Sequence, residues 1–146
     1  MRAGAFSGVR LMAKHVVATV KEIPPGGRKL VEINARAIVV FNLGGEFFAL
    51  NNRCPHRGGS LHLGIQTGLV ESKEPGQYCY SRPGEMVKCP WHGWEFDIRT
   101  GKSWCDPNRV RIRCATSPTI PRRNNSTQIT KIVPCTTNTH CPIWVR

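Results

Sequence analysis

Two short segments of the chain carry the residue types that bind transition metals. The sequence C-P-H at 54–56 opens the first segment, and C-P-W-H at 89–92 opens the second. Thiolate and imidazole are the usual protein ligands for zinc and iron, and each segment supplies one of each. Glycines at 58, 59 and 93 give both segments the backbone freedom that a turn beside a metal requires. The spacing therefore predicts a metal centre with ligands from both segments.

Three kinds of metal centre compete for these ligands. Structural zinc sites commonly pair cysteine with cysteine and histidine with histidine, whereas each segment here offers one of each kind. A plant-type iron–sulfur cluster takes four cysteines, and neither segment contains two. A [2Fe–2S] cluster with two cysteines on one iron and two histidines on the other fits, because each segment then gives one ligand to each iron. A zinc-stabilised binding domain remains as a less favoured alternative.

The two segments resemble the paired signature of Rieske [2Fe–2S] proteins, with C-P-H-R-G at 54–58 and C-P-W-H-G at 89–93. The likeness extends over residues 13–113, where GEFFALNNRCPHRGG leads in and KCPWHGWEFDIRTGKS leads out. It is a resemblance to stand-alone Rieske ferredoxins and to ferredoxin subunits of aromatic-ring oxygenase systems. This resemblance implies a Rieske-type antiparallel β-sandwich with a cluster-binding subdomain of two hairpin loops.

The resemblance also implies a ligand set and a route for the electron. Cys54 and Cys89 would bind the inner iron, and His56 and His92 would bind the outer iron of one Rieske-type [2Fe–2S] cluster. In this family the edges of the histidine rings reach the surface, so an electron leaves through an imidazole to a docked partner. We therefore expect the four side chains to come together, with the histidines outermost.

The reduction potential is predicted from residues that are missing. Respiratory Rieske proteins carry an extra cysteine in each loop, joined as a disulfide, and a serine that donates to a cluster sulfide. The matching positions here are Gly59, Trp91 and Trp94. Fewer groups then stabilise the added electron, so we predict a potential in the lower part of the Rieske range.

The implied function is one-electron transfer as the ferredoxin component of a terminal oxygenase system, with a flavin-dependent reductase as the donor. The alternative is a Rieske small subunit, or a truncated Rieske module, of a ring-hydroxylating oxygenase or a nitrite-reductase-like enzyme. Beyond residue 104 the chain has Asp106 as its only carboxylate residue and His140 as its only histidine. No catalytic mononuclear iron site is therefore expected, since such a site needs two histidines and a carboxylate.

The elements that must position these ligands are predicted to be short strands. An antiparallel meander is predicted from the runs VVATV at 16–20, KLVEI at 29–33, AIVVF at 37–41 and EFFAL at 46–50, with P-P-G-G at 24–27 and L-G-G at 43–45 as turns. QYCYS and EMVK flank R-P-G at 82–84, which predicts a hairpin leading into the second segment. EFDI at 95–98, KSWC at 102–105 and RVRIR at 109–113 predict further strands. No run has a long helical period, so the predicted fold class is all-β.

Several neighbouring side chains have plainer interpretations. His62 is interpreted as a surface or loop histidine, although it lies close to the first segment in sequence. Trp91, Trp94, Leu61 and Leu63 are expected to shield the cluster and to fill the core, because burial around a cluster excludes water.

Charge and cysteine usage limit the remaining possibilities. The formal net charge is +12, but residues 29–106 hold 9 basic and 8 acidic side chains, so the excess lies toward the ends. We therefore predict no nucleic-acid or membrane partner. Seven irregularly spaced cysteines indicate a reducing, cytoplasmic location, and Cys79 and Cys105 are expected to be small buried side chains. Residues 1–12 are interpreted as an unstructured extension and 114–146 as an atypical, poorly ordered basic tail.

Overall fold

Antiparallel strands make up about half of residues 16–114 and 128–130, which are the residues that the computed structural model describes. The strands are β1 Val16–Thr19, β2 Arg28–Ile33, β3 Arg36–Leu43, β4 Glu46–Asn51, β5 Ile65–Glu74, β6 Gln77–Lys88, β7 Glu95–Asp97 and β8 Gln128–Thr130. Two single 3₁₀ turns, Val20–Glu22 and Leu61–Leu63, accompany them. The strands form three sheets, with orders β1-β8, β2-β3-β4 and β5-β6-β7. The predicted all-β fold is confirmed.

The central strand β3 separates two hydrophobic cores. Successive side chains of a strand point to opposite faces, so its β-branched and aromatic run can fill both sides. Val39 and Phe41 contribute to one core, whereas Ile38 and Val40 contribute to the other. All four are at most 3% exposed. The burial of both faces explains why AIVVF reads as a continuous apolar run rather than an alternating one.

The core on one face of β3 also supports the two Cys/His segments. Val87 of β6 and Phe96 of β7 bring the third sheet against it, and both are fully buried. Cys54 and Cys89 belong to the same cluster of buried residues. The two segments are therefore anchored in one hydrophobic core, although they are far apart in sequence.

The structure corrects the predicted hairpin at R-P-G. Gln77–Lys88 is one strand, β6, and its partner is β5, which the sequence analysis did not predict. The chain reverses at Pro75 and Gly76, between β5 and β6. Arg82 and Gly84 have positive φ angles, and the pairing register shifts between Thr67 and Leu69. R-P-G is thus a bulge, which interrupts the ladder without reversing the chain.

Other predictions were wrong in detail. The segments at 102–105 and 109–113 form isolated bridges, such as Lys102 with Arg111, rather than full strands. Cys79 and Cys105 are exposed thiols, not buried ones.

The segment interpreted as a poorly ordered tail contributes β8, which pairs with β1. Cys114, the first residue of that segment, is described and bridges Leu50. Residues 115–127 and 131–146, and the extension at 1–12, lie outside the described residues. In the part of the chain that the structure describes, no helix is long and apolar enough to cross a membrane.

Candidate metal centre

The first Cys/His loop, residues 54–59, is a tight turn closed by two backbone hydrogen bonds. The Cys54 N–H donates to the Gly59 carbonyl at 2.9 Å, and the Gly58 N–H donates to the Cys54 carbonyl at 2.8 Å. A bridge between Arg53 and Ser60 pairs the residues on either side. Gly58 has a φ of 87°, a left-handed conformation that glycine adopts without strain. The first loop is therefore a small hairpin tip in its own right.

The second Cys/His loop, residues 89–94, repeats this closure. The Cys89 N–H donates to the Trp94 carbonyl at 2.8 Å, and the Gly93 N–H donates to the Cys89 carbonyl at 3.0 Å. Gly93 has a φ of 71°, again left-handed. The loop caps the β6–β7 hairpin, where Lys88 pairs with Glu95. Each cysteine, each proline and each left-handed glycine thus occupies the same place in its loop.

The two histidines occupy places that differ by one residue. His56 is the second residue after its cysteine, whereas His92 is the third after its own. Despite this offset the rings meet, with centroids 4.8 Å apart and planes at 81°. Both imidazole rings therefore lie together, although the two motifs space them differently from their cysteines.

Burial divides the four predicted ligands into two unlike pairs. Cys54 and Cys89 are each 2% exposed, whereas both histidines are exposed. Burial raises the pKa of the Cys54 thiol above its ordinary value, a backbone hydrogen bond from His56 lowers it, and the neighbouring Cys89 thiol raises it. The two sulfurs thus lie close together beneath the surface, and the two rings lie together at the surface.

This donor set fits a two-iron cluster. Within residues 16–114 and 128–130, no three His, Cys, Asp or Glu side chains converge in a way that would hold a single metal ion. A cluster with two thiolates on one iron and two imidazoles on the other requires two pairs, and two pairs are what the loops present. Burial raises the pKa of the Cys54 thiol, while backbone hydrogen bonds from His56 and Arg57 act in the opposite direction and favour the thiolate form.

A glycine of the first loop makes room for the second. A Cβ placed on Gly59 would lie 2.8 Å from the Cys89 Sγ and 3.1 Å from Cγ of Trp91. Real side chains do not approach so closely, so a larger residue at this position would displace the sulfur. The sequence analysis named Gly59 for its backbone freedom and as the position of a missing disulfide cysteine, but not for this contact. Its closeness to Cys89 depends on packing between distant loops and has no local signal.

The two tryptophans differ more than the sequence suggested. Trp94 is partly buried, stacks on His56 at 5.1 Å between centroids and continues onto Phe96 at 6.4 Å. Trp91 is 62% exposed and touches His92 only edge-on, at 6.4 Å. The expected shielding role fits Trp94 and was wrong for Trp91, because its side chain points outward.

The two leucines beside the first loop also differ in burial. Leu61 is fully buried, as expected, whereas Leu63 is 69% exposed and does not fill the core. His62 between them is partly buried, and its Nδ1 has no hydrogen-bond partner among the described residues. A 3₁₀ turn places these three side chains on different sides of the backbone, which explains the alternation.

Asn52 holds the base of the first loop through neutral hydrogen bonds. Its Nδ2 donates to the Ser60 hydroxyl at 2.9 Å, and its Oδ1 accepts from the His62 N–H at 2.7 Å. Its backbone N–H donates to the Ala37 carbonyl of β3 at 2.9 Å. The sequence analysis missed this residue. The signal in the sequence is an asparagine two residues before the first cysteine, since an asparagine side chain readily bonds nearby backbone.

Charged side chains hold the base of the second loop. Arg82, in the β6 bulge, contacts Asp97 at 2.6 Å and Glu85 at 2.8 Å. Arg99 contacts Glu85 at 3.1 Å and also reaches Glu46 of β4. This network ties the bulge to β7 and to the central sheet. The contacts that link β4, β6 and β7 join residues far apart in sequence, so they could not be predicted from local spacing.

Comparisons with known proteins agree with this geometry. Residues 13–116 match the family model described as the Rieske [2Fe-2S] domain. The 3-phenylpropionate/cinnamic acid dioxygenase ferredoxin subunit of Photorhabdus laumondii subsp. laumondii is 35% identical over 114 residues, covering 78% of this chain and 91% of that protein. The biphenyl dioxygenase ferredoxin subunit of Pseudomonas sp. strain KKS102 is 33% identical over 96 residues, covering 63% and 74%.

A solved structure shows the same fold. The ferredoxin of carbazole 1,9a-dioxygenase from Nocardioides aromaticivorans IC177 superposes with a TM-score of 0.56 at 20% identity, covering 83% of this chain and 97% of that one. At this level of identity the likeness concerns the fold alone. It agrees with the antiparallel architecture described above.

Proposed function

This chain belongs to the Rieske [2Fe–2S] domain family, and on that premise we propose that it is a one-electron carrier of the ferredoxin type. The observation that carries the proposal is the division of the donor set, with both thiols buried and both imidazole rings exposed and in contact. When bound, a [2Fe–2S] cluster supplies one-electron redox chemistry. The remaining roles belong to the side chains around it.

Four residues are proposed to hold the cluster. Cys54 and Cys89 would bind the inner iron, and His56 and His92 would bind the outer iron. Neutral imidazole carries less negative charge than thiolate, so this ligand set favours the reduced state more than four cysteines would. The buried position of the thiols supports the inner assignment, and the exposure of the rings supports the outer one.

Neighbouring groups are proposed to adjust the site. The backbone N–H groups of His56 and Arg57 stabilise negative charge on the Cys54 sulfur. Trp94 covers one face of the His56 ring and keeps water from that side of the loop. The exposed edges of the rings leave a short path to a docked protein.

The proposed electron acceptor is a terminal oxygenase, and the proposed donor is a flavin-dependent reductase. The two relatives described above are named as ferredoxin subunits of dioxygenases, which supports an oxygenase partner. The reductase rests on the family resemblance alone. The location in the cytoplasm is likewise a proposal, supported by cysteines 54, 79, 89 and 105 being free thiols.

The test is a metal and sulfide analysis of anaerobically purified protein, with electron paramagnetic resonance spectra before and after dithionite. The expected result is two irons and two acid-labile sulfides per chain and a Rieske-type signal only after reduction. Zinc without labile sulfide would contradict the proposal and favour a zinc-stabilised domain.

Two serine variants make this test specific. Cys54→Ser should abolish the cluster, because a buried thiolate ligand is removed. Cys79→Ser, at an exposed cysteine of β6, is the matched control and should keep full iron and sulfide. Equal cluster content in both variants would contradict the ligand assignment.

A further inference from the structure

An open pocket of about 370 Å³ lies beside the first Cys/His loop. It forms where that loop meets the segment 111–113, which is held against β4 by a hydrogen bond from the Asn51 N–H to the Arg113 carbonyl at 3.0 Å. The functional side chains along its wall are Arg53, Cys54, His56, Arg57, Arg111 and Arg113. One predicted cysteine ligand and one predicted histidine ligand thus border the pocket, together with four arginines.

These four arginines have no acidic partner within the described residues, whereas Arg82 and Arg99 each contact two acidic side chains. No Asp or Glu lines the pocket. All nine acidic residues of the chain lie between Glu22 and Asp106, so residues 1–15 and 115–146 contain no Asp or Glu to neutralise it. The pocket is therefore a concentration of unneutralised positive charge beside an exposed histidine.

These arginines without an acidic partner lie on the first-loop side of the candidate centre. At the second loop, Lys88 is paired with Glu95 at 3.4 Å, and the exposed side chain beside His92 is the apolar Trp91. A charged partner would therefore be oriented as well as attracted, with its negative groups on the His56 side. Guanidinium groups form paired hydrogen bonds with carboxylates, which adds geometric selectivity to the attraction.

We propose that this arginine pocket is the docking site for carboxylate side chains of an acidic redox partner protein, whose surface is thereby brought onto His56. The inference rests on the proposed electron-transfer function and adds the chemistry that selects the partner. All four arginines are exposed and the pocket is open. An isolated small anion would keep much of its hydration there, whereas a protein surface also excludes water from the arginines as it docks.

The binding test uses the holoprotein and short poly-L-glutamate as the probe, measured by isothermal titration calorimetry. Arg57→Gln and Arg111→Gln should each weaken binding several-fold, and the double variant should weaken it by about tenfold or more. Lys73→Gln is the matched control. It removes one positive charge from an exposed site near the C-terminal end of β5, outside the lining of the pocket, and should leave binding unchanged.

A kinetic arm tests whether the charge acts at the site of electron exit. Ferricyanide accepts one electron from the reduced protein and becomes ferrocyanide, so the rate reports access of an anion to the cluster. The rate should fall several-fold in the arginine variants, while the rate with the cation hexaammineruthenium(III) should not fall. Raising the salt from roughly 50 to 200 mM should reduce the difference.

Each outcome separates this inference from the proposed function. Visible absorbance and reduced spectra of every variant report whether the cluster is present. A wild-type protein without a cluster tells against the proposed function, whereas intact clusters with arginine-independent binding and rates overturn the docking site. If inorganic phosphate at matched ionic strength competes as well as poly-L-glutamate, the pocket is a small-anion site and the protein-docking inference is overturned.

Discussion

The two Cys/His loops share one backbone and differ in what they place on it. Both are closed by the same pair of hydrogen bonds from cysteine and glycine. The last residue of each loop, however, lies against the other loop. Gly59 leaves space for the Cys89 sulfur, and Trp94 stacks on His56. The comparison teaches that neither loop forms a complete site alone, and that the differences between the motifs are complementary.

The most severe way to break this complementarity is Gly59→Ala. The added methyl would lie 2.8 Å from the Cys89 Sγ, so we expect most of the cluster to be lost. The measurement is iron and labile sulfide per chain. Gly58→Ala is the control, because its methyl would meet only the flexible end of Arg53 at 3.2 Å. That variant should keep its cluster and lose about 1–2 kcal/mol of unfolding free energy to its left-handed backbone.

Exchanging ligand types tests whether the offset histidines are equivalent. His56→Cys and His92→Cys each add a thiolate to the outer iron, so each should lower the potential by roughly 100 mV or more, or lose the cluster. Protein film voltammetry provides the measurement. His62→Gln is the control and should change the potential little, since its ring is not among the four proposed ligands. An unchanged potential in both cysteine variants would rule out the ligand assignment.

The comparison of the two loops can also be tested by measuring the stability of variants of the two tryptophans. Trp94 stacks on two rings and packs on the core, so Trp94→Leu should reduce the free energy of unfolding by about 2 kcal/mol. Trp91 is 62% exposed, and Trp91→Leu should cost less than about 0.5 kcal/mol. Urea denaturation measures both. Similar losses in the two variants would mean that Trp91 has a buried position in solution.

The sequence predicted the first four strands well because their signals are local. Apolar runs of β-branched and aromatic residues identify β2, β3 and β4 directly. Strand β5 was missed because most of its side chains are exposed and polar, so it carries no apolar pattern. The segment R-P-G was wrongly predicted to be a hairpin turn, because the same residues suit a turn and a bulge. Only the pairing of β6 with β5 distinguishes the two.

A similar part of the candidate site could be predicted from the sequence. The four Cys and His residues and the glycine turns follow from the motifs, and the repeated C-P-x-x-G pattern already indicates two equivalent loops. The outward direction of Trp91 and the placement of Gly59 under Cys89 arise from contacts between the loops. The arginine pocket likewise joins residues 53–58 to 111–113, which no local spacing connects.

The smallest expected effect concerns how each loop is held at its base. Asn52 holds the first loop with neutral hydrogen bonds, whereas Glu85 holds the second through Arg82 and Arg99. Burial raises the pKa of Glu85, but the two arginines outweigh it and lower the pKa below its ordinary value of 4.5. This contribution to stability is therefore complete above pH 4.5 and is lost as the pH falls through the lowered value.

Acid should thus loosen the second loop before the first. Hydrogen exchange on the amides of the two loops, compared between pH 7 and pH 4, should show the larger loss of protection at residues 89–94. Glu85→Gln should remove part of this pH dependence and cost about 1 kcal/mol or less at neutral pH, because the pairs are partly exposed. Glu32→Gln, at an exposed carboxylate of β2, is the control and should alter neither loop. Equal loss of protection in both loops would mean that the ion network does not support the second loop separately.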